Sequence, residues 1–291
     1  MIIDIHVHTV RNHGFPRDGR TALTTPVELL ERYRELGVDR AVILPIIHPE
    51  CALSLQGVEE VLEICADFPD RFLPFCNIDP RQVGNSAWAD LGGLLEFYRA
   101  AGCRGVGEVA ASLPFNHPMV ENLFGHCQRL GMPLTFHIGP ALTGCYGLYD
   151  LPGLPLLEGA LAGFPELVFL GHSQPFWAEI APLASPEERN GYPAGPVRRP
   201  GRTVELLRRY PNLHGDLSAR SGYNAVSRDR EFGLALLEEF QDRLYFGTDI
   251  CAPDTPAPLA AYLKQLKDER AITPEIYEKI TSRNAIRLLK L

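Results

Sequence analysis

The sequence contains no run of lysines and arginines, no C-x-x-C pair, no G-x-G-x-x-G and no uncharged apolar stretch of membrane-spanning length. Each absence removes a class of protein. The 28 basic residues are outnumbered by 36 acidic ones, for a net charge of −8, so no electrostatic footprint for nucleic acid is expected. No membrane-spanning helix and no membrane partner are expected either. The seven cysteines are scattered and odd in number, which reads as reduced thiols in a cytoplasmic protein. The opening Met1-Ile2-Ile3-Asp4-Ile5-His6 lacks a basic segment and carries an early aspartate, so a signal peptide is not expected.

What is present is a chain of 291 residues, 45% hydrophobic and 22% charged. That is enough to bury a substantial core, and barrels of ~250 residues commonly fold as one domain. Short apolar or β-branched runs at 2–8, 40–46, 72–78, 105–110, 134–138, 167–172, 213–217 and 244–250 read as strands. Amphipathic patterns at 26–36, 58–68, 87–101, 118–130, 154–164, 203–210, 230–240 and 257–268 read as helices between them. Thr25-Pro26-Val27-Glu28 is a capping box with proline at the first helical position, and Gly37 closes that helix. Gly102, Gly131 and the Phe164-Pro165 step end three more.

Eight strands alternating with eight helices predict parallel pairing through right-handed crossovers. A doubly wound sheet fits the alternation too, but the count of eight favours a closed (β/α)8 barrel, and no dinucleotide fingerprint follows the first strand. Segment 173–202, with six prolines, is the one long irregular stretch, and its length predicts a functional role or a lid. The tail from 273 to 291 reads as extra helix packed outside the barrel. The whole chain, 1–291, is read as one domain.

In such barrels chemistry sits where strands end and βα loops begin. The strand ends carry His6 and His8, Glu108, His137, His172 and Asp249: six metal-capable side chains on five different strands. Alternation along a strand sends His6 and His8 to the same side, into the barrel mouth. Imidazole and carboxylate suit Zn²⁺ and similar divalent ions, and three or four protein ligands leave a coordination position for water. Taken singly, an H-x-H pair is more often ordinary surface or core histidine, and a buried Glu108 or Asp249 could cap a helix or pair with arginine. Jointly, the placement at strand ends points to a metal site. Of the other histidines, His117 and His126 read as structural, His214 begins its strand, and His13 and His48 lie in loops where either could touch substrate.

At this point the residues carry a resemblance. Asp4-Ile5-His6-Val7-His8, His137 and His172 on successive strands, and Thr248-Asp249 on the last resemble the amidohydrolase superfamily. The short barrel and the ending Ile280-Thr281-Ser282-Arg283-Asn284-Ala285-Ile286-Arg287-Leu288-Leu289 resemble its amidohydrolase-2 branch, which includes aminocarboxymuconate-semialdehyde decarboxylase, aromatic-acid decarboxylases, dicarboxylate lactonases and a hydratase. The resemblance implies that His6, His8, His137 and Asp249 bind one divalent metal. It also implies that His172 is an acid/base or polarising group, or a ligand of a second ion. Glu108 occupies the place where other branches bridge two metals with a carboxylated lysine or a glutamate, while many relatives have no ligand there. One ion or two are therefore both open.

The chemistry that follows is hydrolysis of a small-molecule ester, lactone or amide by a water whose pKa the metal lowers towards ~7. Asp249 would transfer the proton, and His172 would orient the water or polarise the carbonyl. Decarboxylation of an unsaturated or aromatic acid at the same site is the alternative. Less favoured are a TatD-type deoxyribonuclease, whose longer signature Gly107-Glu108-Val109-Ala110 lacks, and a metal-binding barrel without activity. Carboxylate clamps could come from Arg11, Arg17, Arg20, Arg198, Arg199 or Arg220, with Arg220 and Ser218 best placed. Tyr146, Tyr149, Trp177 and Tyr223 could wall the pocket. The expected partner is a small-molecule substrate, and the reading leaves room for a homo-oligomer.

Overall fold

The computed structural model describes residues 1–51 and 53–291. Its strands are β1 (Ile3–Val7), β2 (Arg40–Ile43), β3 (Phe72–Pro74), β4 (Val106–Val109), β5 (Leu134–Gly139), β6 (Leu148–Tyr149), β7 (Phe169–His172), β8 (Leu213–Asp216) and β9 (Leu244–Tyr245). All pairings between them are parallel, in the orders β1-β2-β3 and β4-β5-β7-β8-β9, with β6 a short appendage of β5. Backbone hydrogen bonds join the two sheets at both seams. Cys76 donates to Gly105 O and Gly107 to Cys76 O on one side. On the other, Ile5 donates to Phe246 O, Asp249 to His6 O and His8 to Ile250 O. Eight strands thus form a closed ring, as the alternation predicts.

The helices are α1 (Pro26–Leu36), α2 (Val58–Asp67), α3 (Leu91–Ala100), α4 (Pro118–Leu130), α5 (Pro155–Gly163), α6 (Gln174–Ala178), α7 (Arg202–Arg209), α8 (Ala219–Ser227), α9 (Arg230–Glu239), α10 (Leu259–Asp268), α11 (Pro274–Glu278) and α12 (Asn284–Leu289). Thr25 and Glu28 form the reciprocal capping box, and Gly37 takes the left-handed conformation that ends α1. Ile3 and Ile5 pack in one cluster with Val42, Leu44, Leu73, Phe75, Leu170 and Tyr245. Residues from both sides of the ring can meet only inside it. Ala285 and Leu289 join this cluster, and Asn284 donates to Leu244 O at the start of β9. The tail therefore crosses the N-terminal end of the barrel and closes it, which corrects its placement as outer packing.

Segment 173–202 is largely anchored. It contains α6 and a 3-10 turn at Pro186–Asn190. Its buried Arg189 donates to Glu179, to Asp150 O and to Leu151 O. Helix α8 does not announce itself in the sequence. Its Gly222 lies against Leu217, where a Cβ would come within 2.3 Å of backbone, so the glycine serves close packing rather than a turn. No helix among the described residues is long and apolar enough to cross a membrane.

Candidate active site

Two irregular registers aim the site. Between Asp4 and Val7, β1 takes three steps while its partner takes two from Ala41 to Ile43. The extra residue switches faces: Ile5 fills the barrel interior, and His6 and His8 also turn inward, while Val7 packs outward with Leu29 and Tyr33. Strand β4 repeats the device, three steps from Val106 to Val109 against two from Leu134 to Phe136, and the displaced residue is Glu108. Gly107, at φ +144°, lies where a Cβ would come within 2.8 Å of Thr135 O, so the approach of the two strands requires glycine.

His6 Nε2 and His8 Nε2 stand 3.2 Å apart. Glu108 Oε2 is 3.8 Å from each, and Asp249 Oδ1 is 3.7 Å from His6 and 3.6 Å from His8. His172 Nε2 faces Glu108 Oε1 at 3.6 Å and Asp249 Oδ2 at 3.8 Å. His137 reaches the group through Glu108, its Nδ1 at 2.7 Å from Oε1. Glu108 therefore turns one oxygen to the His6–His8 pair and the other to His137 and His172. In this arrangement the fourth corner beside His6, His8 and Asp249 is held by Glu108, and His137 lies beyond it.

The opposite ring nitrogens are already engaged. His6 Nδ1 donates to Asp216 Oδ2 at 2.7 Å and His8 Nδ1 to Leu44 O at 2.9 Å, while His172 Nδ1 meets Ser218 Oγ at 2.9 Å. At His6 and His8, with Nδ1–H spent on an acceptor, a neutral ring turns the Nε2 lone pair inward, the arrangement that prepares histidine for a metal. Donors ~2.0–2.2 Å from one tetrahedral ion stand ~3.3–3.6 Å apart, close to the 3.2 Å of the His6–His8 pair and the 3.6–3.8 Å from these rings to Glu108 and Asp249. The donor set fits a divalent cation.

Without a cation the same carboxylates keep a proton on His6: burial pulls its pKa down, but Asp216, then Glu108 and Asp249, raise it to about 10, so a metal would have to displace that proton. Burial and the adjacent His6 lower His8 to about 4 and His172 to about 3. Glu108 is held well below the usual carboxylate range, against burial, chiefly by His137. Asp249 is pushed up to about 7 by burial, opposed by His6 and reinforced by Glu108 and Asp216. Three carboxylates crowded this way are relieved by a cation.

A cavity opens above the donors. His8, Glu108, His137 and Asp249 form its base, Phe15, Leu23, Ile46 and Leu53 its apolar wall, and Arg17, His48, Asn77 and Tyr146 its polar rim. His48 and Tyr146 line this cavity, and Arg17 is the one candidate arginine that does so. The others sit elsewhere. Arg11 pairs with Glu63 and Asp67, and Arg220 lies exposed over the Tyr192 ring at 4.4 Å. Ser218 is buried under His172 rather than facing substrate, so its role is to hold the ring. Trp177 is 2% exposed, with Nε1 donating to Asp216 O. It lies behind the site as core, because the loop that carries it is packed rather than open.

Sequence reading passed over Asp216 and Asn77. Asp216 had a signal: it ends the seventh barrel strand, one of the strands to which no ligand had been assigned. Asp4 is a third case. It is buried, raised to about 6 by burial, and accepts from Tyr33 Oη, from Thr248 N and Oγ1, and from His6 N. It thereby fastens β1 to the last strand directly beneath the donors.

Fold and site together define a class, the (β/α)8-barrel enzymes whose C-terminal mouth gathers histidines and carboxylates suited to a metal. Within that class the chain belongs to the amidohydrolase family, whose model matches residues 3–291. No curated protein sequence matches it. Among solved structures it resembles an uncharacterised TIM-barrel protein of Bordetella bronchiseptica, at 18% identity over 99% of this chain and 98% of that one, with a TM-score of 0.68. It also resembles 2,6-dihydroxybenzoate decarboxylase from Rhizobium (18%, 99% and 98%, TM-score 0.59). A third is a probable 2-pyrone-4,6-dicarboxylic acid hydrolase of Acinetobacter baumannii with citric acid bound (14%, 100% and 99%, TM-score 0.57). At these identities the likeness is one of fold, and the names span both hydrolysis and decarboxylation.

Proposed function

We propose that this protein is a metal-dependent hydrolase of a small-molecule ester, lactone or amide. The observation that carries the reading is the stance of Asp249. One oxygen faces the His6–His8 pair and the other faces His172, and the side chain opens onto the cavity. A divalent ion, zinc by its imidazole and carboxylate donors, would be held by His6, His8, Glu108 and Asp249 and would supply Lewis acidity and an acidified water. Asp249 then takes the proton of the attacking water and passes it to the leaving group. His172, with Nδ1 accepting from the Ser218 hydroxyl, carries its hydrogen on Nε2 and directs that N–H at the reacting carbonyl. His137 holds Glu108 in place. The two-faced Glu108 supports a second ion on the His137–His172 side.

Decarboxylation is the second reading, and Arg17 on the cavity rim favours it, since a guanidinium suits a substrate carboxylate. We place the enzyme in the cytoplasm, in keeping with seven free cysteines. The test is metal analysis of purified protein followed by a panel of lactones, esters, dipeptides and unsaturated carboxylic acids. Acid released with no CO₂ is the expected result. CO₂ evolved without hydrolysis would transfer the assignment to the second reading.

A further inference from the structure

His48 follows β2 and lines the cavity while only 1% exposed. Its Nδ1 lies 3.0 Å from Asp79 Oδ2. A carboxylate can only accept, so Nδ1 carries the hydrogen, and the neutral ring presents Nε2 as a lone pair. Asp79 cannot swing away: Arg81 grips it with Nε at 2.7 Å and a terminal nitrogen at 2.5 Å, and itself pairs with Glu50 at 3.1 Å. Arg81 and the His48 ring hold the Asp79 carboxyl well below its ordinary pKa, so it stays an acceptor and fixes the orientation of the ring.

Asn77, two residues before Asp79, also lines the cavity and is 2% exposed. Its Nδ2 donates to Glu108 O at 2.7 Å and to Pro45 O at 3.1 Å. Both partners are carbonyls, so the amide cannot be turned round, and Oδ1 is the end left over. Among the described residues neither His48 Nε2 nor Asn77 Oδ1 has a hydrogen-bond partner. A buried polar atom without a partner costs free energy, and here the two residues that carry such atoms line one cavity together with Glu108.

We propose that His48 Nε2 and Asn77 Oδ1 form a subsite of two acceptors that selects substrates carrying a neutral hydrogen-bond donor, a hydroxyl or an amide N–H, near the reacting group. The inference rests on reading the cavity as the substrate site. Its logic is exclusion as much as attraction. An ether leaves both acceptors unpaired, and a carboxylate adds a third acceptor to two, so each is penalised where a donor is rewarded. The anionic end of a substrate is left to Arg17 on the opposite chemistry.

The test does not depend on turnover. The purified metal-loaded enzyme, labelled with ¹⁵N in histidine, is titrated with phenol, acetamide, anisole and benzoate while the ring nitrogens are followed by NMR, His48→Phe supplying the assignment. The free enzyme should show His48 Nε2 unprotonated. Phenol and acetamide should shift that resonance, one arm for each donor type, with phenol binding at least about tenfold more tightly than anisole. In His48→Phe the phenol-to-anisole ratio should fall towards one with metal content unchanged. Asn77→Ala should lower the ratio as well, and His48→Phe stands alone if that variant does not fold. A protonated Nε2 in the free enzyme, equal binding of phenol and anisole, or a shift of the His48 Nε2 resonance by benzoate would overturn the subsite. Failure of the hydrolysis panel with donor selectivity intact would instead count against the proposed reaction.

Discussion

At the N-terminal end of the barrel the strands meet in apolar packing: Ile3, Ile5, Val42, Leu73 and Leu170 close on one another and on Leu289 of α12. At the C-terminal end the barrel carries His6, His8, Glu108, His172 and Asp249, packed almost as deeply and chosen for charge. The first end keeps regular register and needs no polar partner. The second departs from regularity wherever it carries function: bulges in β1 and β4, and left-handed backbone at Ser173, Ala219 and Asp249, where β7 and β8 and the chain after β9 release their loops. Non-glycine residues in such conformations cost free energy and persist where surrounding structure holds them. One end supplies stability, and the other spends part of it on geometry.

Mutations should separate the two ends. The largest effect is expected at the open one. Asp249→Asn should lower kcat by roughly a hundred- to ten-thousand-fold, the span for a lost proton-transfer group, while metal content measured on the same protein largely survives on the remaining donors. At the closed end, Phe75→Ala should cost about 3–5 kcal/mol of stability in denaturant unfolding. Phe75 is fully buried, and its ring fills the space that a side chain on Gly105 would need. Metal affinity of the folded fraction should stay unchanged; a loss there would mean that the ends are coupled.

Asp216→Asn should act between these extremes, weakening metal binding about ten- to a hundred-fold by releasing the His6 ring, as read by competition with a chelator. A pH slope is expected as well. In metal-free protein the Asp249 carboxyl, raised to about 7 from 3.8, keeps a proton in the folded state that the unfolded chain has released. Wild-type stability should therefore fall relative to Asp249→Asn as pH rises from about 4 to about 7. Saturating metal should abolish that difference.

The two ends also differ in how far the sequence discloses them. Helices α1 and α4 run over the residues that their caps and glycines mark, because those signals are local. The six strand-end side chains gathered at the barrel mouth were visible for the same reason: each is a polar residue terminating an apolar run. The bulges were not visible, since they exist only relative to a neighbouring strand. Asp216 and Asn77 act through partners 210 and 31 residues away, a pairing that ring closure creates. Trp177 and Ser218 were read as pocket residues because loop position looks alike whether the loop is open or packed. The tail that plugs the barrel has an ordinary amphipathic pattern, which says that one face is buried and not against what.

If the open end is a metal centre built on the His6–His8 pair, binding of metal and turnover must rise and fall together. Metal-free protein is titrated with Zn²⁺ while bound metal and hydrolysis of the best panel substrate are followed together, in wild type and in the double variant His6→Ala/His8→Ala. Activity should rise in step with bound metal in wild type, saturating at one or two ions per chain, and both signals should be lost in the double variant. Tight binding or undiminished activity in the folded double variant would contradict the account.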